Sequence, residues 1–316
     1  MNMISSMKKI NKTVDVVVVT FNRLELLKKC LKSILNQTYP IKNIFVIDNN
    51  STDNTMVFLQ QLSNRYPKII PVHLSRNIGG AGGFYEGLKL FIQKSHSDYV
   101  WIMDDDTIPS VTALEKIVKR TADVSNFGFL TGNVRWKDGK SALMNIPEPI
   151  TNWNEKADKG LVGVDYASFV AIMFPRNVVL KVGLPIKDFF IWGDDVEYTK
   201  RITQKGFKGY AVIDSLVYHE TKKNIGSNIV LEEDSNRIRR YYYARRNTIF
   251  TMKNRYNKKE YIKWLVNSMI FEPIRIIRFA DNRKIFRLRM SLKGTISGLF
   301  FKPKIEKLKD NTDKNE

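Results

Sequence analysis

Apolar and polar positions along the chain alternate at two distinct periods. Residues 14–19 form a valine-rich run that reads as a buried strand, and Leu24, Leu27, Leu31, Ile34 and Leu35 then recur at helical spacing. Asn22 and Glu25 have the spacing of a capping pair at that helix's start. Residues 44–47 predict a second strand, closed by the polar stretch Asp48-Asn49-Asn50-Ser51-Thr52-Asp53-Asn54-Thr55, which reads as a loop. A helix over 56–65, a strand over 69–74, a helix over 84–94 behind a glycine-rich turn and a strand over 97–103 follow. Strands alternating with helices in this way predict an α/β domain on a mostly parallel, nucleotide-binding sheet. Residues 127–131 and 165–174 read as strands around a polar stretch bearing Pro147 and Pro149, where acceptor-side loops are expected. Residues 194–205 return to helix, stopped by Gly206, and 210–213 to strand.

After about Ser227 the pattern changes to long helices rich in arginine, lysine and aromatic residues. The expected organisation is therefore a flexible N-terminus over 1–12, a catalytic domain over 13–230 and a basic helical extension over 231–316. Between Arg237 and Lys307 twenty lysines and arginines face four acids, so most of the chain's net charge of +20 is concentrated there. Such a field attracts nucleic acid or an anionic membrane surface. Ile274, Ile277 and Phe279 beside Arg275 and Arg278 give the extension a basic amphipathic character, which predicts contact at lipid headgroup level. An ordinary helical subdomain with a solvated basic face is the plainer alternative.

At 316 residues and 43% hydrophobic content the chain is long enough for a full α/β core. Its one cysteine, Cys30, excludes an internal disulfide, fits a reducing compartment and falls on an apolar helix stripe, where it reads as core packing. No secretory leader is expected at Met1, and no run approaches eighteen uninterrupted apolar residues. Together these predict a cytoplasmic protein held peripherally at the inner face of the membrane.

Three segments carry candidate chemistry. Asp104, Asp105 and Asp106 directly follow the apolar run Trp101-Ile102-Met103, at the carboxyl end of a predicted strand, where open α/β sheets bind ligands. Carboxylates at i and i+2 suit a hard divalent cation; an acidic turn capping a helix begun by Pro109 is the alternative. Arg76-Asn77-Ile78-Gly79-Gly80-Ala81-Gly82-Gly83-Phe84 follows a strand and opens a helix, an arrangement suited to phosphate or simply to tight packing. Phe189-Phe190-Ile191-Trp192-Gly193-Asp194-Asp195-Val196-Glu197 sets acids in a first helical turn behind bulky aromatics, which suits either a structural cap or a base acting on a sugar hydroxyl. His219 ends a short strand, and its imidazole would complete an oxygen-rich site in a way that favours Mn²⁺ over Ca²⁺.

Taken in order, Val16-Val17-Val18-Val19-Thr20-Phe21-Asn22-Arg23, Val46-Ile47-Asp48-Asn49-Asn50-Ser51-Thr52-Asp53, the acid triplet, Gly193-Asp194-Asp195-Val196-Glu197 and His219 resemble the family 2 inverting glycosyltransferases of GT-A fold. The resemblance covers about residues 13–250. The segment around Gly80, together with Tyr242-Tyr243-Ala244-Arg245-Arg246-Asn247, is most similar to the galactofuranosyltransferase and rhamnosyltransferase branch. It implies that Thr20, Phe21 and Arg23 line the nucleotide pocket, with Asp48 on the pyrimidine edge or ribose. By the same likeness Asn77 and Gly80 lie near the donor phosphates or sugar, and Asp105 near the ribose or sugar. Asp104 and Asp106 would hold Mn²⁺ or Mg²⁺, with His219 as a further ligand. Asp195 would be the general base, while Trp192, Asp194 and Glu197 would shape the acceptor side. The implied partners are a UDP- or dTDP-linked sugar donor and a lipid-linked glycan acceptor. With the first strand near Val14, the resemblance implies addition of single residues rather than processive growth.

Two rivals remain at the level of sequence. The basic charge and the tyrosines interleaved with arginines around Tyr241 fit a nucleic-acid-binding protein, against which the ordered acid motifs speak, so no nucleic acid is expected. A nucleotidyltransferase on a related sheet would release pyrophosphate instead of a nucleoside diphosphate.

Overall fold

The structure, a computed structural model, describes residues 12–309, so the expected flexible N-terminus lies outside the described residues except for Lys12. In chain order the α/β part comprises β1 (Val14–Thr20), α1 (Leu24–Leu35), β2 (Ile44–Asp48), α2 (Thr55–Arg65), β3 (Ile69–His73), α3 (Gly79–Lys94), β4 (Tyr99–Asp104), β5 (Thr107–Pro109) and α4 (Ala113–Arg120). It continues through β6 (Phe127–Trp136), β7 (Glu148–Pro149), β8 (Leu161–Tyr166), β9 (Ile172–Pro175), α5 (Arg176–Val182), α6 (Asp194–Gln204) and β10 (Lys208–His219). Helices α7 (Ser235–Arg255), α8 (Lys258–Val266), α9 (Glu272–Phe279) and α10 (Lys284–Phe300) follow, with a π turn over Asn267–Phe271.

All strands join one sheet in the order β3-β2-β1-β4-β9-β6-β10-β8-β7, with β5 paired to β10. The first four are parallel, as the alternating pattern predicts, but β9 runs antiparallel to both β4 and β6, and β8 antiparallel to β10. The sheet is therefore mixed rather than mostly parallel. The run from Val14 is buried throughout because both faces are covered. Val14, Val16 and Val18 pack with Leu27, Cys30 and Leu31 of α1, whereas Val17 and Val19 pack with Phe84, Leu88 and Phe91 of α3.

Several local expectations are corrected. The glycine-rich segment is not a turn before a helix; it is the first turn of α3 itself. A Cβ at Gly83 would lie 2.5 Å from Val19 Cγ1 and one at Gly87 2.3 Å from Val17 Cγ1, so these glycines let α3 approach β1 closely. Pro109 ends β5 instead of beginning a helix, which removes the helix-capping reading of the acid triplet. Asn22 has φ of 52° and does not cap α1; its Oδ1 accepts from Thr52 N, while Asp53 Oδ2 accepts from Leu24 N. The strand expected over 165–174 divides into β8 and β9.

The helices after Val230 are tied to the α/β part. Arg255 of α7 donates to Glu197 of α6, and a backbone segment after α10 returns to the core, where Leu184 N donates to Glu306 O and Glu306 bonds the Tyr85 hydroxyl of α3. Gly294 and Gly298 let α10 lie directly on α7, where a Cβ would meet Tyr242 O and Arg246 O.

Candidate active site

The parallel register aligns three carboxyl ends in a row: Thr20 pairs with Asp48 and Val19 with Asp104. The chain then turns through Asp105 and Asp106 into β5, whose antiparallel pairing sets Thr107 opposite His219. That pairing is why an acid and a histidine more than a hundred residues apart meet: His219 Nε2 lies 3.0 Å from Asp106 Oδ1. The other ring nitrogen lies 2.7 Å from Asn145 Oδ1. Both neighbours present oxygens to the ring, an arrangement that favours a proton on each nitrogen in the absence of a metal.

Arg23 joins the cluster from the loop after β1, donating to Asp106 Oδ2 at 2.8 Å and Asp105 Oδ1 at 3.2 Å. Thr20 Oγ1 donates to Asp105 Oδ2 at 2.8 Å, and the Phe21 amide points at the same oxygen from 3.4 Å. These contacts separate the three acids electrostatically. Burial raises Asp104 well above the usual carboxylate range, and the charges of Asp106 and Asp105 add to it. Burial lifts Asp105 to about 6 against the pull of Arg23. At Asp106 burial is outweighed by the hydrogen bond and charge of His219, which hold its carboxyl low. The His219 imidazole is correspondingly raised: burial opposes its charge, and the bond to Asp106 prevails.

Among the described residues no three His, Cys, Asp or Glu side chains converge into a ready-made metal cage. The expected set is thus assembled only in part: Asp106 and His219 meet, while Asp104 stays at the end of β4 because the turn directs Asp106 toward β10. The donors nevertheless fit a divalent ion. Asp106 and His219, now hydrogen-bonded to each other, bring together a carboxylate and an imidazole, donor types that suit Mn²⁺ or Mg²⁺, and the Asp104 carboxylate has no hydrogen-bond partner among the described residues.

Asp48 is fully buried; its Oδ1 accepts from Ser51 N and its Oδ2 lies 2.7 Å from His73 Nδ1. Asn49 links this edge to α3, accepting from Ile78 N and donating to Gly79 O. Asn77 Oδ1 accepts from Gly79 N, and Gly80 faces open space on the Cβ side. A cavity of about 510 Å³ runs beside them between Arg76, Asn77, Lys187 and Phe190.

Asp194 and Asp195 start α6 behind a strained loop in which Phe190, Trp192 and Gly193 all have positive φ. One buried side chain on α7 holds that loop: Asn247 Nδ2 faces the carbonyls of Phe189, Ile191 and Trp192 at 2.9, 3.2 and 2.8 Å. Arg246 adds bonds to Asp188 O and Phe189 O, and Ala81 N of α3 donates to Phe190 O. The loop is thereby pinned between the glycine-rich helix start and α7. Burial lifts Asp194 to about 8, with the charge of Asp195 adding, and burial lifts Asp195 to about 6. Trp192 packs edge-on against Tyr241. Glu197, expected on the acceptor side, is fully buried; Arg201 and Arg255 take its two oxygens, so it fastens α6 to its surroundings.

His73, on a predicted strand, and Asn145 have no role in the expected site, and Asn247 enters it only as the last residue of the Tyr242–Asn247 motif. The β2–β3 register places His73 directly beside Asp48, a pairing that the sequence does not show. Asn145 lies in an irregular stretch and carried no signal.

The fold and this cluster define a nucleotide-sugar transferase of GT-A type. The sequence profile of glycosyl transferase family 2 matches residues 15–182, and the chain belongs to that family. It is 28% identical over 198 residues to glycosyltransferase AglE of Haloferax volcanii, covering 61% of this chain and 62% of that one. It is 23% identical over 246 residues to galactofuranosyltransferase GlfT1 of Mycolicibacterium smegmatis, covering 72% and 80%. Poly-beta-1,6-N-acetyl-D-glucosamine synthase of Staphylococcus aureus is 26% identical over 193 residues, and the chain spans 45% of its length. Among solved structures, GalNAc-T7 with UDP, GalNAc and Mn²⁺ superposes with a TM-score of 0.64 at 14% identity, covering 88% of this chain and 54% of that one. The protein is a glycosyltransferase.

Proposed function

We propose that this enzyme transfers a single sugar, with inversion, from a nucleoside diphosphate donor to a lipid-linked cell-surface glycan, and that the sugar is galactofuranose from UDP-galactofuranose. The reading rests above all on the network of Thr20, Arg23, Asp105, Asp106 and His219 at the strand ends. Thr20, Phe21, Arg23 and Asp48 receive the nucleotide, Asp105 the ribose or sugar, and Asn77 and Gly80 the diphosphate end. Asp106 and His219, with Asp104 beside them, would hold Mn²⁺ or Mg²⁺, which when bound neutralises charge on the departing diphosphate.

Asp195 takes the proton of the acceptor hydroxyl, whose oxygen bonds to the anomeric carbon as the bond from that carbon to the diphosphate oxygen breaks. With Asp195 raised only to about 6, it is ionised at neutral pH, whereas Asp194 at about 8 keeps its proton and is able to donate to a sugar oxygen. Trp192 supplies an apolar wall on the acceptor side. The similarity to GlfT1 supports the choice of sugar.

The C-terminal helices present Ile270, Ile274, Ile277 and Phe279 to the outside beside Arg275 and Arg278, and this face is read as the contact with an anionic membrane that carries the acceptor. No helix among the described residues is long and apolar enough to cross a membrane.

The test is a screen of UDP-galactofuranose, dTDP-rhamnose and UDP-hexopyranoses for hydrolysis and transfer with Mn²⁺. Turnover of UDP-galactofuranose above the others is expected. Preference for dTDP-rhamnose would overturn the sugar assignment, and release of pyrophosphate from a nucleoside triphosphate would overturn the reaction class.

A further inference from the structure

His219 is buried, and the protein engages both of its ring nitrogens, one through Asp106 and the other through Asn145. The Asp106 contact belongs to the acid cluster. The Asn145 contact does not, and it is the shorter of the two, 2.7 Å against 3.0 Å. Asn145 comes from the irregular segment between β6 and β7 and meets the end of β10 from 74 residues away in the chain. Several bonds hold that segment in place. Asn145 N donates to Ala142 O, Leu143 N donates to Asn224 Oδ1, and Asn224 Nδ2 donates back to Ser141 O, which ties the residues before Asn145 to the segment after His219. The amide itself is oriented from its other end: Asn145 Nδ2 donates to Ser168 Oγ at 3.0 Å and so leaves Oδ1 facing the ring. Among the described residues both polar atoms of this side chain thus go to other side chains and none to the backbone of its own segment.

That orientation selects one form of the imidazole. A ring that holds a cation through Nε2 must carry its single proton on Nδ1, and a carbonyl oxygen, which only accepts, secures that form. A hydrogen bond at the far nitrogen also fixes the ring plane and makes the near nitrogen a stronger donor. We propose that Asn145 is a positioning residue for the metal site, which sets the tautomer and aim of His219 and thereby how tightly the ion is held. The proposal rests on the reading of Asp106 and His219 as metal ligands. It gives the segment between β6 and β7 a direct link to the ion through one hydrogen bond.

The experiment titrates Mn²⁺ into the full-length chain and its Asn145→Ala, Asn145→Ser, Asn145→Asp and His219→Ala variants, with the electron paramagnetic resonance signal of the free ion as readout. UDP binding in the presence of a chelator is measured alongside by calorimetry. Asn145→Ala and Asn145→Ser are expected to weaken Mn²⁺ binding about ten- to hundredfold and to leave UDP affinity in chelator unchanged. Asn145→Asp, whose carboxylate accepts from the same N–H, is expected to keep or strengthen Mn²⁺ binding. Equal losses in Asn145→Asp and Asn145→Ala would show that the side chain merely packs the segment, and would overturn the proposal. So would a parallel fall of UDP affinity in chelator, or Mn²⁺ affinities within about twofold of wild type in the alanine and serine variants while His219→Ala loses the ion. Should Asn145→Ala not fold, the contrast between Asn145→Ser and Asn145→Asp decides by the same criterion. Mn²⁺ binding that survives His219→Ala overturns the metal-ligand reading itself, whereas a loss confined to His219→Ala overturns the role of Asn145 alone.

Discussion

Burial raises the carboxyls of two adjacent acids at the start of α6, Asp194 further than Asp195. With Asp194 lifted to about 8 and Asp195 to about 6, the pair is expected to share one proton at neutral pH, with Asp195 the more readily ionised. A base must be ionised to act, so kcat/KM is expected to rise with pH through about 6, two units above an ordinary aspartate, and the pH–rate profile checks it. Asp195→Asn should lower kcat by about 10²–10⁴-fold while nucleotide affinity is kept. The stability consequence has a definite sign. Both carboxyls bind their protons more tightly in the folded chain, so from this pair stability is greatest below the unfolded value near 3.8 and falls as pH rises toward 8. Chemical denaturation of Asp194→Asn should show a shallower loss of stability between pH 5 and 8 than wild type. At this scale the sequence disclosed residue types and not partners. Asp106 and Arg23 were visible in their motifs, but the bond between Asp106 and His219 depends on the β5–β10 pairing, which no local pattern encodes.

Elements were easier to read where one physical cause dominates. The strands from Val14, Ile44 and Tyr99 declare themselves through burial on both faces, and the helix stripe over Leu27, Cys30 and Leu31 through its period. Where two causes compete, the pattern misleads. Glycine argues locally against helix by about 1 kcal/mol, and yet α3 begins with four glycines, of which Gly79 lets it approach the Phe190 carbonyl and Gly83 lets it approach β1. The magnitudes make Gly87→Ala informative. Propensity alone would stabilise by about 1 kcal/mol, whereas a methyl set 2.3 Å from the stiff Val17 side chain should cost about 1–3 kcal/mol. Net destabilisation in urea unfolding is the expected result. At α7 the informative change is Asn247→Ala, which leaves three loop carbonyls without their shared donor and should destabilise by about 2–4 kcal/mol. The motif Tyr242-Tyr243-Ala244-Arg245-Arg246-Asn247 was recognisable in sequence, but its work of holding a loop with three positive φ values was not, because a helix pattern says nothing about which distant carbonyls it faces.

For the molecule as a whole, charge and apolar exposure are the properties that extend beyond any single element. The sequence showed the excess of basic residues after Arg237, but not which apolar positions would remain outside, since the same amphipathic pattern serves a buried interface equally well. Folding settles this unevenly. Ile276 is buried against Tyr241, while Ile270, Ile274, Ile277 and Phe279 stay more than half exposed beside Arg275 and Arg278. Positions 270, 274 and 277 fall at i, i+4 and i+7, a single stripe. A membrane uses both parts of that face, the arginines for anionic headgroups and the isoleucines for the acyl boundary; a nucleic acid uses only the charge. Sedimentation with vesicles containing anionic lipid separates them. Wild type should bind strongly at low salt and retain part of its binding at about 1 M salt, where the screening length falls to about 3 Å and only apolar insertion persists. Ile274→Glu with Ile277→Glu should abolish that salt-resistant fraction and leave nucleotide-sugar hydrolysis unchanged. Binding that vanishes completely with salt in wild type, or that survives both substitutions, would show that the exposed stripe does not enter lipid, and the acceptor would then have to reach the site by another face.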